Sequence, residues 1–202
     1  MASVIDTSRR DFLKATALAG GGLVIGFALP VKGRFAQAAS DFRPNAFLRV
    51  AGDGSVTVVC GQAEMGQGVL TALPMLVAEE LDADWTRVRV EQAPADAAFA
   101  NPLFGFQGTG GSTSVMGFWD PLRKAGAAAR EMLVAAAAAS WGVAAGDCRT
   151  ENGRVMGPGG RTAGYGELVD RAAALPVPAE PRLKDPKDFR LLGTPARRLD
   201  SP

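Results

Sequence analysis

The chain has 202 residues, 22 Lys and Arg against 21 Asp and Glu, and no histidine. That length and a 47% hydrophobic content suit one globular domain, while the near-zero net charge excludes the basic face that a nucleic-acid partner needs. Without histidine the commonest general base and metal ligand are gone; Cys60 and Cys148, 88 positions apart, have no metal-ligand spacing and read as buried thiols rather than a disulfide.

The first predicted element is a targeting segment. The run SRRDFLK at Ser8 to Lys14 precedes the apolar stretch ATALAGGGLVIGFALP, whose 16 residues end at Pro30. That is shorter than the ~20 residues a membrane span needs. A basic front, a short apolar middle and the small residues of AQAAS (Ala36 to Ser40) fit a secretory signal. Arg9 and Arg10 stand where the twin-arginine export signal has its arginine pair. Residues 1–39 are therefore assigned to export toward the periplasm by the twin-arginine machinery, either cleaved or kept as a membrane anchor.

Residues 40–175 carry the domain. AFLRVAGDGSVTVVC alternates on both sides of Gly52-Asp53-Gly54, which predicts a hairpin. A glycine-rich loop follows, then a helix over Leu70 to Leu81. Pro74 fits there if the helix starts near Thr71 and holds proline in its first turn. TRVRVEQAP predicts a returning strand, and Pro94 to Gly111 a long loop ending in GFQGTGGSTS. Asp120 is a suitable N-cap and Pro121 a suitable first residue for an alanine-rich helix that Gly142 stops after Trp141. Asn152-Gly153 predicts a second hairpin, and GYGELVDRAAAL a shorter helix. Residues 176–202 hold six of the 13 prolines, so they read as an extended linker or a surface-hugging arm. The fold class is α+β, mixed α/β, with hairpins and two to three helices.

Two loops carry the chemistry. In CGQAEMGQG, Gly61 and Gly66 have the spacing of a phosphate-binding P-loop, but Gln67-Gly68 replaces its lysine and hydroxyl. Gly66-x-Gly68-x-x-Thr71 lacks the last glycine of the dinucleotide fingerprint. Backbone N–H groups at the start of the following helix would still form an anion-friendly nest, with Gln67 suited to a polar ring edge. The second loop, GTGGSTS at Gly108 to Ser114, offers more N–H groups and several hydroxyls. Together the loops would clamp an elongated ligand carrying phosphates and a polar ring; the other reading is two tight turns that hold nothing.

Three separated blocks, EMGQGVLTALPMLVAEELDADW, PADAAFANPLFGFQGTGGSTS and LKDPKDFRLLGTPARRLD, occur in one order. With them the chain resembles the N-terminal region of the large, molybdopterin-binding subunit of exported molybdenum hydroxylases. These are xanthine oxidase family enzymes of the isoquinoline 1-oxidoreductase beta-subunit type. The resemblance implies molybdopterin cytosine dinucleotide as cofactor, with Gly66, Gln67 and Gly68 of one loop and Gly108, Thr109, Gly111, Ser112 and Ser114 of the other lying against it. It also implies a partner subunit with two [2Fe–2S] clusters and further domains of the large subunit beyond the arm.

The same resemblance places the oxo-side G-G-x-F-G loop and the general-base glutamate outside this chain. No catalytic or metal-ligating residue is assigned within it, and Glu64 reads as an ordinary solvated or hydrogen-bonded glutamate rather than a substitute base. The chain is expected to be the cofactor-binding part of an aldehyde or N-heteroaromatic oxidoreductase, inactive alone; the other reading is an exported, non-catalytic binding or assembly module. Because the twin-arginine receptor reads the pair, replacing Arg9 and Arg10 with Lys should hold the protein in the cytoplasm. Fractionation of periplasm from cytoplasm checks this, and wild-type export of the double variant would remove the assignment.

Overall fold

The computed structural model describes residues 22–26 and 46–201. Arg9 and Arg10 lie outside those residues. Strand β1 (Gly22–Gly26), drawn from the apolar middle of the expected export segment, pairs antiparallel with β2 (Ala46–Ala51). β2 turns at the expected glycines into antiparallel β3 (Val56–Cys60), and Asp53 closes that turn by accepting from the Ser55 N–H at 2.8 Å. Helix α1 (Val69–Leu81) then crosses over to β4 (Val88–Gln92), which runs parallel to β3. The sheet order is β1-β2-β3-β4. Helix α2 (Thr113–Trp141) packs on α1. A second, three-stranded antiparallel sheet follows, made of β5 (Arg149–Glu151), β6 (Arg154–Met156) and β7 (Thr162–Gly164). Helix α3 (Tyr165–Ala173) closes the domain against α2 and the first sheet.

These elements follow from local chemistry where the signals are local. Asn152 and Gly153 both have positive φ, 46° and 70°, which is what a tight hairpin of this hand requires. Gly142 caps α2 in the left-handed region with φ 66°. Cys60 is a buried free thiol, raised to about 11 chiefly by that burial, and Cys148 is a partly buried free one.

Two helix starts differ from expectation. α1 begins at Val69, so Pro74 sits in its second turn rather than its first. α2 begins at Thr113, so Asp120 is not its N-cap and Pro121 lies inside it. An internal proline costs a helix about 3 kcal/mol. Tertiary contacts outweigh that cost. Phe118 is buried, its ring 6.3 Å from that of Phe47, and the buried Asn101 amide donates to Thr113 Oγ1 at 2.8 Å. Burying one such aromatic contributes about 1.5–3 kcal/mol. Gly126 permits the close helix crossing, since a Cβ there would stand 2.5 Å from the Val77 carbonyl oxygen.

The last turn of α1 carries two adjacent buried carboxylates, Glu79 and Glu80, 2% and 0% exposed. Arg123 Nε donates to Glu80 Oε1 at 2.8 Å and Arg123 Nη2 stands 2.7 Å from the same oxygen. The Lys184 N–H completes that carboxylate at 3.0 Å. Glu79 accepts from the N–H groups of Arg190, Leu191 and Leu192 at 3.0, 2.7 and 2.9 Å, and from Lys184 Nζ at 3.2 Å. Burial alone would push Glu79 up, but these donors outweigh it and hold the carboxyl below its ordinary range. Residues 184–200 thus form an arm bonded to α1 at Lys184, at Arg190 to Leu192 and at Leu199 and Asp200, while Arg182 before it bonds to Glu131 of α2.

Removing one partner of a buried ion pair leaves the other charge uncompensated, at about 3–5 kcal/mol. Glu80→Ala should therefore lower unfolding free energy by about 3–5 kcal/mol, while Glu91→Ala, which breaks only the exposed pair with Arg49, should cost under about 1 kcal/mol. Urea unfolding of the two variants measures both.

Candidate functional site

The two glycine-rich loops meet at the N-terminal ends of α1 and α2. Loop one spans 61–68 and loop two 108–112. The Ala63 N–H donates to Thr109 Oγ1 at 2.8 Å, and Ser114 Oγ donates to Gln62 Oε1 at 2.8 Å. Gln107 Nε2 adds a bond to the Gly61 carbonyl at 3.4 Å. Gln62 is fully buried, and Asn101, equally buried, fixes loop two through Thr113 and, at 3.4 Å, the Gly108 carbonyl. The sequence pattern singles out neither Gln62 nor Asn101, since each sits in a loop among residues that carry no local burial signal.

Within loop one the expected anion nest is already filled. Glu64 accepts from the N–H groups of Gly66 and Gly68 at 2.9 and 2.8 Å through Oε1, and from Leu70 at 3.0 Å through Oε2. A carboxylate at a helix N-terminus takes the free donors and complements the helix dipole, which explains why α1 starts at Val69. The N–H groups of Leu70 and Gly68 hold the Glu64 carboxyl below its usual range. Arg198 stands 4.0 Å away, and it also pairs with Asp200, whose carboxyl is held down to about 2, chiefly by that hydrogen bond. Of the two ordinary states expected for Glu64, solvated or hydrogen-bonded, the structure shows the second.

The Gln67 side chain bonds within its own loop. Its Oε1 accepts from the Met65 N–H at 2.5 Å and its Nε2 donates to the Ala63 carbonyl at 2.8 Å, so its amide closes the loop on itself. Gly66 and Gly68 behave as glycines must: φ is 97° and 81°, and no atom lies within 4 Å of where a Cβ would stand. The backbone there faces open space. In loop two, Gly110 and Gly111 precede Ser112, the left-handed N-cap of α2, whose side chain makes no capping bond. The N–H groups of Gly110, Gly111 and Ser112 form no hydrogen bond among the described residues. Donors of this kind remain on loop two, and the N–H groups of Gln67 and Val69 beside the open glycines of loop one likewise form no hydrogen bond among the described residues.

Comparison with known proteins fits this geometry. Residues 7–197 match the family described as molybdopterin cofactor-binding domain, and the chain belongs to that family. It is 44% identical over 177 residues to isoquinoline 1-oxidoreductase subunit beta of Brevundimonas diminuta, covering 85% of this chain and 22% of that one. It is 35% identical over 210 residues to a membrane-bound aldehyde dehydrogenase (pyrroloquinoline-quinone) of Gluconacetobacter polyoxogenes, covering 94% and 26%. A Cu,Mo-CO dehydrogenase shares the fold at TM-score 0.50 and 23% identity, over 73% of this chain and 18% of that one. The chain spans about a quarter of the length of the curated relatives it matches.

The Glu64 arrangement has a pH signature. A carboxyl held below its unfolded value of 4.5 contributes fully above that value and loses its contribution as pH falls through the folded-state value. The wild-type advantage in Tm over Glu64→Gln should accordingly be largest near neutrality and shrink below about pH 4.5. Thermal melts of both proteins across acid pH check this; an advantage that grew on acidification would contradict the capping role.

Proposed function

We propose that the chain is the cofactor-binding segment of a larger molybdenum-dependent oxidoreductase, and that its two glycine loops cradle the cofactor's organic part. The observation that carries this reading is the hydrogen-bonded meeting of the loops, with an open glycine backbone on one and free N–H donors on the other. A polar ring with an anionic linkage fits that pair of surfaces. The residues divide the work by charge. Glu64 and Asp200 make loop one unwelcoming to phosphate, so the phosphates belong with Gly110, Gly111 and Ser112 of loop two. The ring then lies against Gly66 and Gly68. Gln67 keeps loop one closed so that those glycines present a fixed surface.

The finer assignments belong to the same proposal. The dinucleotide form carrying cytosine suits two loops that bind one elongated ligand. A [2Fe–2S] partner subunit would take the electrons, further domains would supply the base and the oxo-side loop, and the twin-arginine pair would send the folded assembly to the periplasm. When bound, the group supplies the redox centre for oxidising an aldehyde or an N-heteroaromatic ring; this chain's residues bind it, orient it and keep its phosphates from water. The named relatives act on isoquinoline and aldehydes, and those are the substrate classes proposed here.

The test compares two glycines of equal backbone conformation. Gly68 and Gly160 have φ 81° and 75° and open surroundings, but Gly160 lies before β7, away from the loops. In the complete subunit, Gly68→Val should lose bound molybdenum by metal analysis, while Gly160→Val should keep it. Equal molybdenum in the two would reduce loop one to a turn.

A further inference from the structure

Among the described residues seven large hydrophobic side chains are exposed, and six of them surround the loops: Met65, Leu103, Phe104, Phe106, Val115 and Met116. Exposed apolar side chains gathered in one place mark a surface that is covered in use. At its centre the rings of Phe104 and Phe106 stack, with centroids 5.4 Å apart and planes 20° from parallel. Phe106 is 62% exposed.

The pair is held by backbone. The Asn101 N–H donates to the Phe106 carbonyl at 2.9 Å, and the N–H groups of Phe104 and Gly105 donate to the Asn101 carbonyl at 3.0 and 2.8 Å. The rings also lie against loop two. A Cβ on Gly108 would stand 2.6 Å from the Phe106 ring and 3.5 Å from that of Phe104, and one on Gly111 would stand 3.9 Å from Phe104. Two aromatic rings held beside loop two form a stacking platform, the arrangement that receives a flat heteroaromatic ring.

We infer that the Phe104–Phe106 pair is a stacking platform for a planar nitrogen heterocycle of the bound ligand, with Phe106 as the contacting ring. This rests on the cofactor reading above and adds residues to it outside the glycine motifs. The heterocycle has two sources in such a ligand, a pterin and a nucleobase, and both present a π face with ring nitrogens at the edge. Gly108 is part of the device: any side chain there would push Phe106 off the loop.

The experiment titrates the chain with neopterin, followed by pterin fluorescence, and separately with cytidine monophosphate by calorimetry. Stacking on an aromatic side chain is lost on truncation, so Phe106→Ala should weaken the ring it serves by roughly five- to a hundredfold, and Phe106→Trp should restore binding. Circular dichroism should show both variants folded, since the side chain is mostly exposed. A loss confined to neopterin assigns the platform to the pterin, and a loss confined to the nucleotide assigns it to the base. Binding abolished by Gly68→Val but unchanged in Phe106→Ala would overturn the platform and leave the cofactor reading standing. Binding untouched by either variant would overturn both, and a wild-type chain that binds neither probe would overturn the platform, with molybdenum content still deciding the cofactor reading.

Discussion

Two neighbouring buried carboxylates set the terms for this domain. Glu79 and Glu80 are consecutive on α1, and a helix turns about 100° per residue, so they face different neighbours. Glu80 faces α2 and takes Arg123, with Arg130 at 3.4 Å. Glu79 faces the arm and takes the backbone of residues 190–192 together with Lys184. A buried charge must be paired and hydrogen-bonded or it unfolds its surroundings. The pairing demand therefore fixes where α2 lies and where the arm runs.

The consequences reach the site at the other end of the helices. The arm that starts at Glu79 ends beside the first turn of α1, where the Leu199 N–H donates to Thr71 Oγ1 and that hydroxyl donates to Asp200, both at 3.0 Å. α1 is thus gripped at both ends by one strap, and Glu64 fastens loop one to its N-terminus. α2, set against α1 through Gly126 and Arg123, carries loop two to the same place. The loops meet because the helices behind them cannot slide. The proposed cradle of backbone N–H groups and glycines needs that rigidity, having few side chains of its own to adjust.

What the sequence revealed follows the range of each interaction. Gly52-Asp53-Gly54, Asn152-Gly153 and Gly142 state their turns within a few residues, and all three form as expected. Both glycine loops were legible as the segments that lead into α1 and α2. Their junction was not legible: Thr109 meets Ala63 across 46 residues, and nothing local marks it. Nothing local marks Glu79 and Glu80 as buried, because their partners lie 43 to 113 positions away. The start of α2 was missed for a similar reason, because Pro121 argues locally for a beginning while Phe118 and Thr113 are committed to the core. The Gln67 amide makes one bond at each end within its own loop, which its sequence neighbours did not announce.

The central claim is that the loops are a cofactor cradle held ready by the packing behind them. Amide hydrogen exchange in the complete subunit, with and without molybdenum cofactor, tests it most directly. Cofactor loading should slow exchange at residues 63–68 and 108–112 and leave the Asn152-Gly153 hairpin unchanged. Loops that exchange at the same rate in the loaded and cofactor-free protein would contradict the account.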